Sequence, residues 1–201
     1  DRPWWSERKS GRYEETLFKD FGGHRVEADL HHRLSLYRHL GRTDEGLQDR
    51  SSRAQNIPFR LPSPEDLALH TALHAAATGF RVPLKSWFDL HLLGCDENFN
   101  WDALCARAVE WKIGAALWAG LTVASSLLNT PVPKETLTTL APPTPAKRTL
   151  ERMLSGQGET PIRSGRFVDA RRQVAKSLAL GGSRPWQLVL EQARIRLERP
   201  E

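Results

Sequence analysis

A change of hydrophobic period near residue 61 constrains this chain more than any other feature. Upstream, residues 21–34 (FGGHRVEADLHHRL) alternate polar and apolar side chains. Downstream, apolar residues recur three and four apart for most of the remaining sequence. Period two belongs to a β-strand, whose successive side chains point to opposite faces, and the longer period to an amphipathic helix. A chain of 201 residues with the first pattern early and the second thereafter is expected to be α+β, with a small sheet region over residues 1–60 and a helical region over 61–201.

In the strand, Val26, Ala28 and Leu30 fall on one face, and Arg25, Glu27, Asp29, His31 and Arg33 on the other. Two carboxylates and an imidazole in a row suit a divalent cation or the activation of a hydroxyl. The same pattern is equally that of a solvated strand whose carboxylates pair with Arg25 and Arg33. Residues 13–21 read as a preceding strand or a short helix, and Gly22-Gly23 as the hairpin turn between them. Trp4 and Trp5 are expected at an edge, residues 35–41 (SLYRHLG) turn helical, and residues 41–58 form a polar loop.

The helical region opens with Ser63 as N-cap, Pro64 in the first helical position and Asp66 three residues after the cap. Leu67, His70, Leu73, His74 and Ala77 then form the stripe expected to pack inward, and Gly79 ends the helix. Further helices are expected at 83–94, with Leu84, Trp87, Phe88 and His91 or Leu92 on one side, and at 101–113 behind an Asn100 cap. Others fall at 115–129, 134–140, 146–155, 167–180 and 185–198, with Pro and Gly between them. His70 and His74 have metal-ligand spacing, with Asp89 or His91 as a third ligand. The competing reading makes them core histidines, with Asp89 as partner to a His or to Arg81.

Composition narrows the function classes. The net charge is +5, with much of the excess in residues 147–199. Those basic residues are not interleaved with aromatics in a stacking pattern, which disfavours a nucleic-acid surface. No apolar run approaches membrane-spanning length, and the opening DRPWWSERK lacks the apolar core of a secretory leader, so a cytoplasmic protein is expected. Two cysteines, Cys95 and Cys105, are expected as free thiols. No nucleophile–His–acid set and no phosphate-binding Gly loop stands out; the Gly-rich residues 156–166 read as a mobile loop.

Several pieces together resemble a known family. The stretch Ala28-Asp29-Leu30-His31-His32-Arg33-Leu34 is followed by Ser63-Pro64-Glu65-Asp66, by His70 and His74, by Gly79-Phe80-Arg81, and by Trp87 with Asp89-Leu90. In order and spacing these are similar to the bacterial uncharacterised nucleotidyltransferase family, of the DNA polymerase β-like superfamily, over roughly residues 20–130. The resemblance implies the end of a nucleotidyltransferase β-sheet followed by a mostly helical domain. It implies Mg²⁺-dependent transfer of a nucleoside monophosphate from an NTP to an acceptor hydroxyl or phosphate. Three carboxylates hold two metal ions in that chemistry.

By the match, Asp29 is the third carboxylate, both metal ligand and base. Glu27 is a second candidate ligand, and Glu27, His31 and Arg33 are candidates for contact with the nucleotide. The first two carboxylates of the superfamily, in a G-S…D-x-[DE] segment, have no counterpart ahead of Asp29. The expectation is therefore a C-terminal portion, inactive alone, whose missing carboxylates lie upstream or on a second chain. The alternative is a non-catalytic helical binding module derived from the same fold.

Overall fold

The computed structural model describes residues 7–10, 14–31, 33–35, 40, 43, 45–53, 58–155 and 166–180. Its architecture is α+β, with the strands first and the helices after them. Strands β1 (Glu7–Ser10), β2 (Glu14–Phe21) and β3 (His24–His31) form an antiparallel meander in the order β1-β2-β3. Gly22 and Gly23, at φ of 58° and 82°, make the turn between β2 and β3. Positive φ at both central residues matches the right-handed twist of the flanking strands, and glycine reaches it without steric cost.

The meander leaves both faces of β3 largely exposed. Val26 and Leu30 are 47% and 52% exposed, and Phe21 is 71%. Phe18, in contrast, is buried. β3 ends at His31, so Arg33 lies beyond the strand rather than on its polar face, a correction to the sequence reading.

The segment read as a polar loop carries regular structure. Helix α1 (Leu47–Arg50) is followed by β4 (Ser52–Arg53), which pairs with β5 (Arg60–Leu61). Arg60 donates from Nε to the Ser51 hydroxyl at 2.6 Å and from Nη2 to the Ser51 carbonyl.

The remaining helices are α2 (Pro64–Ala77), α3 (Leu84–Cys95), α4 (Trp101–Glu110), α5 (Gly114–Leu128), α6 (Lys134–Leu140), α7 (Thr144–Leu154) and α8 (Arg166–Leu180). Their limits follow local chemistry. The Ser63 hydroxyl accepts from the Asp66 N–H at 3.2 Å, and the Asn100 side chain accepts from the Ala103 N–H at 2.9 Å. Each satisfies an amide that the first helical turn leaves without a partner. α2 ends with Phe80 N–H on the Ala75 carbonyl and Gly79 N–H on that of Ala76. α4 ends the same way, with Ile113 on Ala108 and Lys112 on Val109. There the left-handed position is taken by Lys112, at φ 58°.

α5 is the axis of the bundle. It touches α2, α3, α4, α6, α7 and α8. From Ala116 to Ala124 every residue but Thr122 is buried. A helix apolar on all sides belongs at the centre. Small residues set the spacing: a Cβ on Gly120 would lie 3.4 Å from Leu90 and 3.6 Å from Ala72. At Gly94 a Cβ would come within 2.9 Å of Thr130 and 3.3 Å of Trp101, so Gly94 lies inside α3 at a tight contact instead of closing the helix.

Two helix faces differ from the sequence reading. α2 buries Ala68, Leu69, Ala72, Leu73, Ala75 and Ala76, while Leu67 and His74 face outward and His70 and Ala77 sit at the rim. α3 buries Trp87, Leu90 and Gly94, leaving Leu84, Phe88 and Leu92 exposed at 63%, 47% and 54%. On α2, close approach to α5 selects alanine, and on α3 Trp87 and Leu90 meet Gly120 of α5 while Gly94 meets Thr130 and Trp101, so a stripe counted from bulky residues alone points elsewhere. Trp4, Trp5, most of residues 36–42, residues 156–165 and the expected helix at 185–198 lie outside the described residues.

Candidate functional site

The β2–β3 register builds the polar face. Asp20 lies opposite Arg25, Phe18 opposite Glu27, and Thr16 opposite Asp29. Directly opposed residues share a face, so Thr16, Phe18, Asp20, Arg25, Glu27, Asp29 and His31 stand on one side. Successive positions on that side are about 6.6 Å apart along the strand. The site carboxylates Glu27 and Asp29 and the imidazole of His31 are thus consecutive in space as well as in pattern, and all three are exposed.

Arg25 does not neutralise them. Its Nε lies 3.6 Å from Asp20, and its guanidinium sits 5.2 Å from the Phe18 ring centroid. A cation over an aromatic face is held by the ring's quadrupole, so Arg25 is engaged by Asp20 and by Phe18, the residue opposite Glu27. Among the described residues, the side chains of Glu27 and Asp29 make no ion pair and no hydrogen bond. Arg33, the fourth site candidate, is exposed beyond the strand.

His31 is near enough to His70 to act on it electrostatically. His70 is half-buried, and burial, then His74, then His31, hold its pKa below the ordinary histidine value. The rings of His70 and His74 are 6.5 Å apart and tilted by 36°. His74 is exposed, which corrects its placement in the core. The ligand or partner expected from α3 is engaged elsewhere. Asp89 accepts from Lys85 Nζ at 2.7 Å, and His91 Nδ1 lies 3.2 Å from the Thr130 hydroxyl. No group of three or more His, Cys, Asp or Glu converges on a point where it could hold a metal, among the described residues. Cys95 and Cys105 are free thiols, and burial pushes the Cys105 thiol up.

A buried charge cluster went unrecognised in the sequence. Asp66, fully buried, accepts from Arg50 Nε at 2.8 Å and Nη2 at 3.2 Å, and from Arg107 Nη1 at 3.2 Å. Arg107 also donates to the Ser63 hydroxyl at 2.8 Å and lies 3.4 Å from Glu65. Glu65 accepts from the Asn100 backbone N–H at 3.1 Å. Two arginines and two carboxylates balance, and every contact to Asp66 is charge-assisted. Asp66 holds the Arg50 guanidinium above its ordinary pKa. The cluster ties α1, the start of α2 and both ends of α4 together. Its only sequence signal is the acidic pair in the first turn of α2. The arginine partners are 16 and 41 residues away, out of reach of any local pattern.

No helix among the described residues is long and apolar enough to cross a membrane. Compared with known proteins, the chain finds no significant match among curated proteins or solved structures. The model of a family described as uncharacterised nucleotidyltransferase matches residues 4–129, more than half of the chain, including the whole β-meander and helices α2 to α5. The chain therefore belongs to the uncharacterised nucleotidyltransferase family, and nucleotidyl transfer from an NTP is the chemistry that membership brings.

Proposed function

We propose that this protein is a Mg²⁺-dependent nucleotidyltransferase that moves a nucleoside monophosphate from an NTP to an acceptor hydroxyl or phosphate, with Asp29 at the centre of the site. The observation that carries the reading is the pair of exposed carboxylates, Glu27 and Asp29, side by side on β3 with no protein cation paired to either among the described residues. A merely solvated strand would be expected to pair them with Arg25, which instead serves Asp20 and Phe18.

In this proposal Asp29 takes the proton of the acceptor hydroxyl. The acceptor oxygen bonds to the α-phosphorus, and the bond from that phosphorus to the pyrophosphate oxygen breaks. Glu27 and Asp29 are hard oxygen donors of the kind Mg²⁺ prefers. When bound, the metal compensates triphosphate charge. These two residues make only part of a metal centre, since no third ligand joins them among the described residues. Its other carboxylates come from outside those residues, on this chain or on a second one. His31 and Arg33 are the candidates for contact with the nucleotide, residues 1–60 carry the chemistry, and residues 61–201 form the helical support beside it.

Mn²⁺ substitution with NMR detection tests the assignment. In the presence of an NTP, paramagnetic broadening is expected to centre on residues 27–31 and to be lost in Asp29→Asn, which keeps the wild-type melting temperature because the side chain is exposed. Broadening centred elsewhere, or unchanged by Asp29→Asn, assigns the metal to other residues and leaves the family resemblance to a non-catalytic module.

A further inference from the structure

The last turn of α3 carries an exposed thiol beside an imidazole. His91 and Cys95 are four residues apart, the spacing at which helical side chains stand one above the other. Cys95 Sγ lies 3.7 Å from each ring nitrogen of His91. With bonds of about 2.3 Å to sulfur and about 2.0 Å to nitrogen, a tetrahedral zinc ion sets two such ligand atoms about 3.5 Å apart. Cys95 is exposed, so its χ1 is free to turn the sulfur towards one nitrogen. His91 Nδ1 lies 3.2 Å from the hydroxyl of Thr130, which is buried. An Nδ1–H donated to that hydroxyl leaves Nε2 with a lone pair to offer, and an outer partner of this kind is what orients a metal-bound histidine. The carbonyls that end a helix favour a cation over a free thiolate, and Cys95 is the last residue of α3.

The pair is half of a tetrahedral set, and no third His, Cys, Asp or Glu joins it among the described residues. The same side of α3 leaves apolar surface open. Leu84, Phe88 and Leu92 recur every fourth residue, are all exposed, and lead to the ligand pair. The rings of Phe88 and His91 are 6.0 Å apart. A two-fold axis alongside α3 would set this stripe against its own copy. It would also bring the second copy's imidazole and thiolate to the same ion, because an isologous interface repeats every ligand. We propose that His91 and Cys95 are half of a site for a soft divalent cation of the zinc class, which a second copy of this chain completes with the same two residues, Leu84, Phe88 and Leu92 forming the apolar contact beside it. The site belongs to the helical bundle and stands or falls independently of the Asp29 reading.

Sedimentation equilibrium of the whole chain tests this, with the thiols kept reduced by a phosphine so that no disulfide forms. With Zn²⁺ the chain is expected to dimerise, binding one zinc per two chains, and to return to monomer in excess EDTA. Co²⁺ in place of Zn²⁺ should give a thiolate-to-metal charge-transfer absorption. Cys95→Ser should lose that absorption and weaken zinc binding by more than the roughly 10–100-fold that follows loss of a ligand's outer partner. Cys105→Ser, which removes the other thiol, should dimerise as wild type does. Phe88→Lys should weaken the dimer. Phe88 and Cys95 are exposed, so in EDTA both variants should keep the melting temperature of wild type. Failure to bind zinc, zinc held by the monomer alone, or a dimer that survives EDTA overturns the proposal. So does zinc binding unchanged by Cys95→Ser, or a dimer indifferent to Phe88→Lys.

Discussion

The helical bundle and the β-meander spend their apolar residues differently. In the bundle, Leu69, Leu90, Leu104, Trp111, Ile113, Leu117, Leu121 and Leu150 are all fully buried, and the charged cluster at Asp66 is internally satisfied. In the meander, Phe21, Val26 and Leu30 remain exposed, and so do Glu27 and Asp29. One part of the chain is organised to exclude water and the other to present side chains. Stability is therefore expected to reside in the bundle, and chemistry on the strand.

The largest effect that would sharpen this contrast is at Asp66. Replacing it with Ala leaves Arg50 and Arg107 without their shared carboxylate in a water-poor site. Loss of about 3–5 kcal/mol is expected, the usual consequence of stranding one side of a buried charge pair. Urea unfolding measures it, and a loss below 1 kcal/mol would mean that water replaces the carboxylate. The second effect is smaller and opposite in sign. Lys112 holds a left-handed conformation at the end of α4, costly for any residue with a Cβ. Lys112→Gly is expected to stabilise by about 0.5–1 kcal/mol in the same assay, the relief of strain exceeding the added entropy of the unfolded chain.

The smallest effect belongs to the meander. Leu30→Thr, half-exposed on a strand that favours β-branched residues, should change stability by less than about 0.5 kcal/mol. A loss of several kcal/mol there would break the comparison, by showing that the apolar face of β3 is covered in solution.

Much of this was readable where the signal is local. The alternation around Asp29, the Gly22-Gly23 turn, the Ser63 and Asn100 caps and the positions of α2 to α6 depend on residues within a few positions of one another. The inward faces of α2 and α3 were not readable from bulk. Alanines and Gly94 permit close packing on neighbouring elements, while Leu84, Phe88 and Leu92 stay outside. Of the site, the Glu27–Asp29–His31 ladder was legible from period two. The approach of His31 to His70 was not, because it joins a strand to a helix 39 positions later. Asp66 was legible as a helix-start residue and illegible as the anchor of Arg50 and Arg107, since pairing across such separations leaves no periodic trace.

The central position of α5 has a consequence for how the molecule comes apart. A helix flanked by six others, with scarcely an exposed residue between Ala116 and Ala124, has no edge from which to fray. It cannot peel away alone, because leaving would strip contacts from every neighbour at once. Its amides open only when the bundle opens, so the bundle behaves as one cooperative unit, and the meander, which shares almost none of that core, is free to rearrange around a substrate without loosening it.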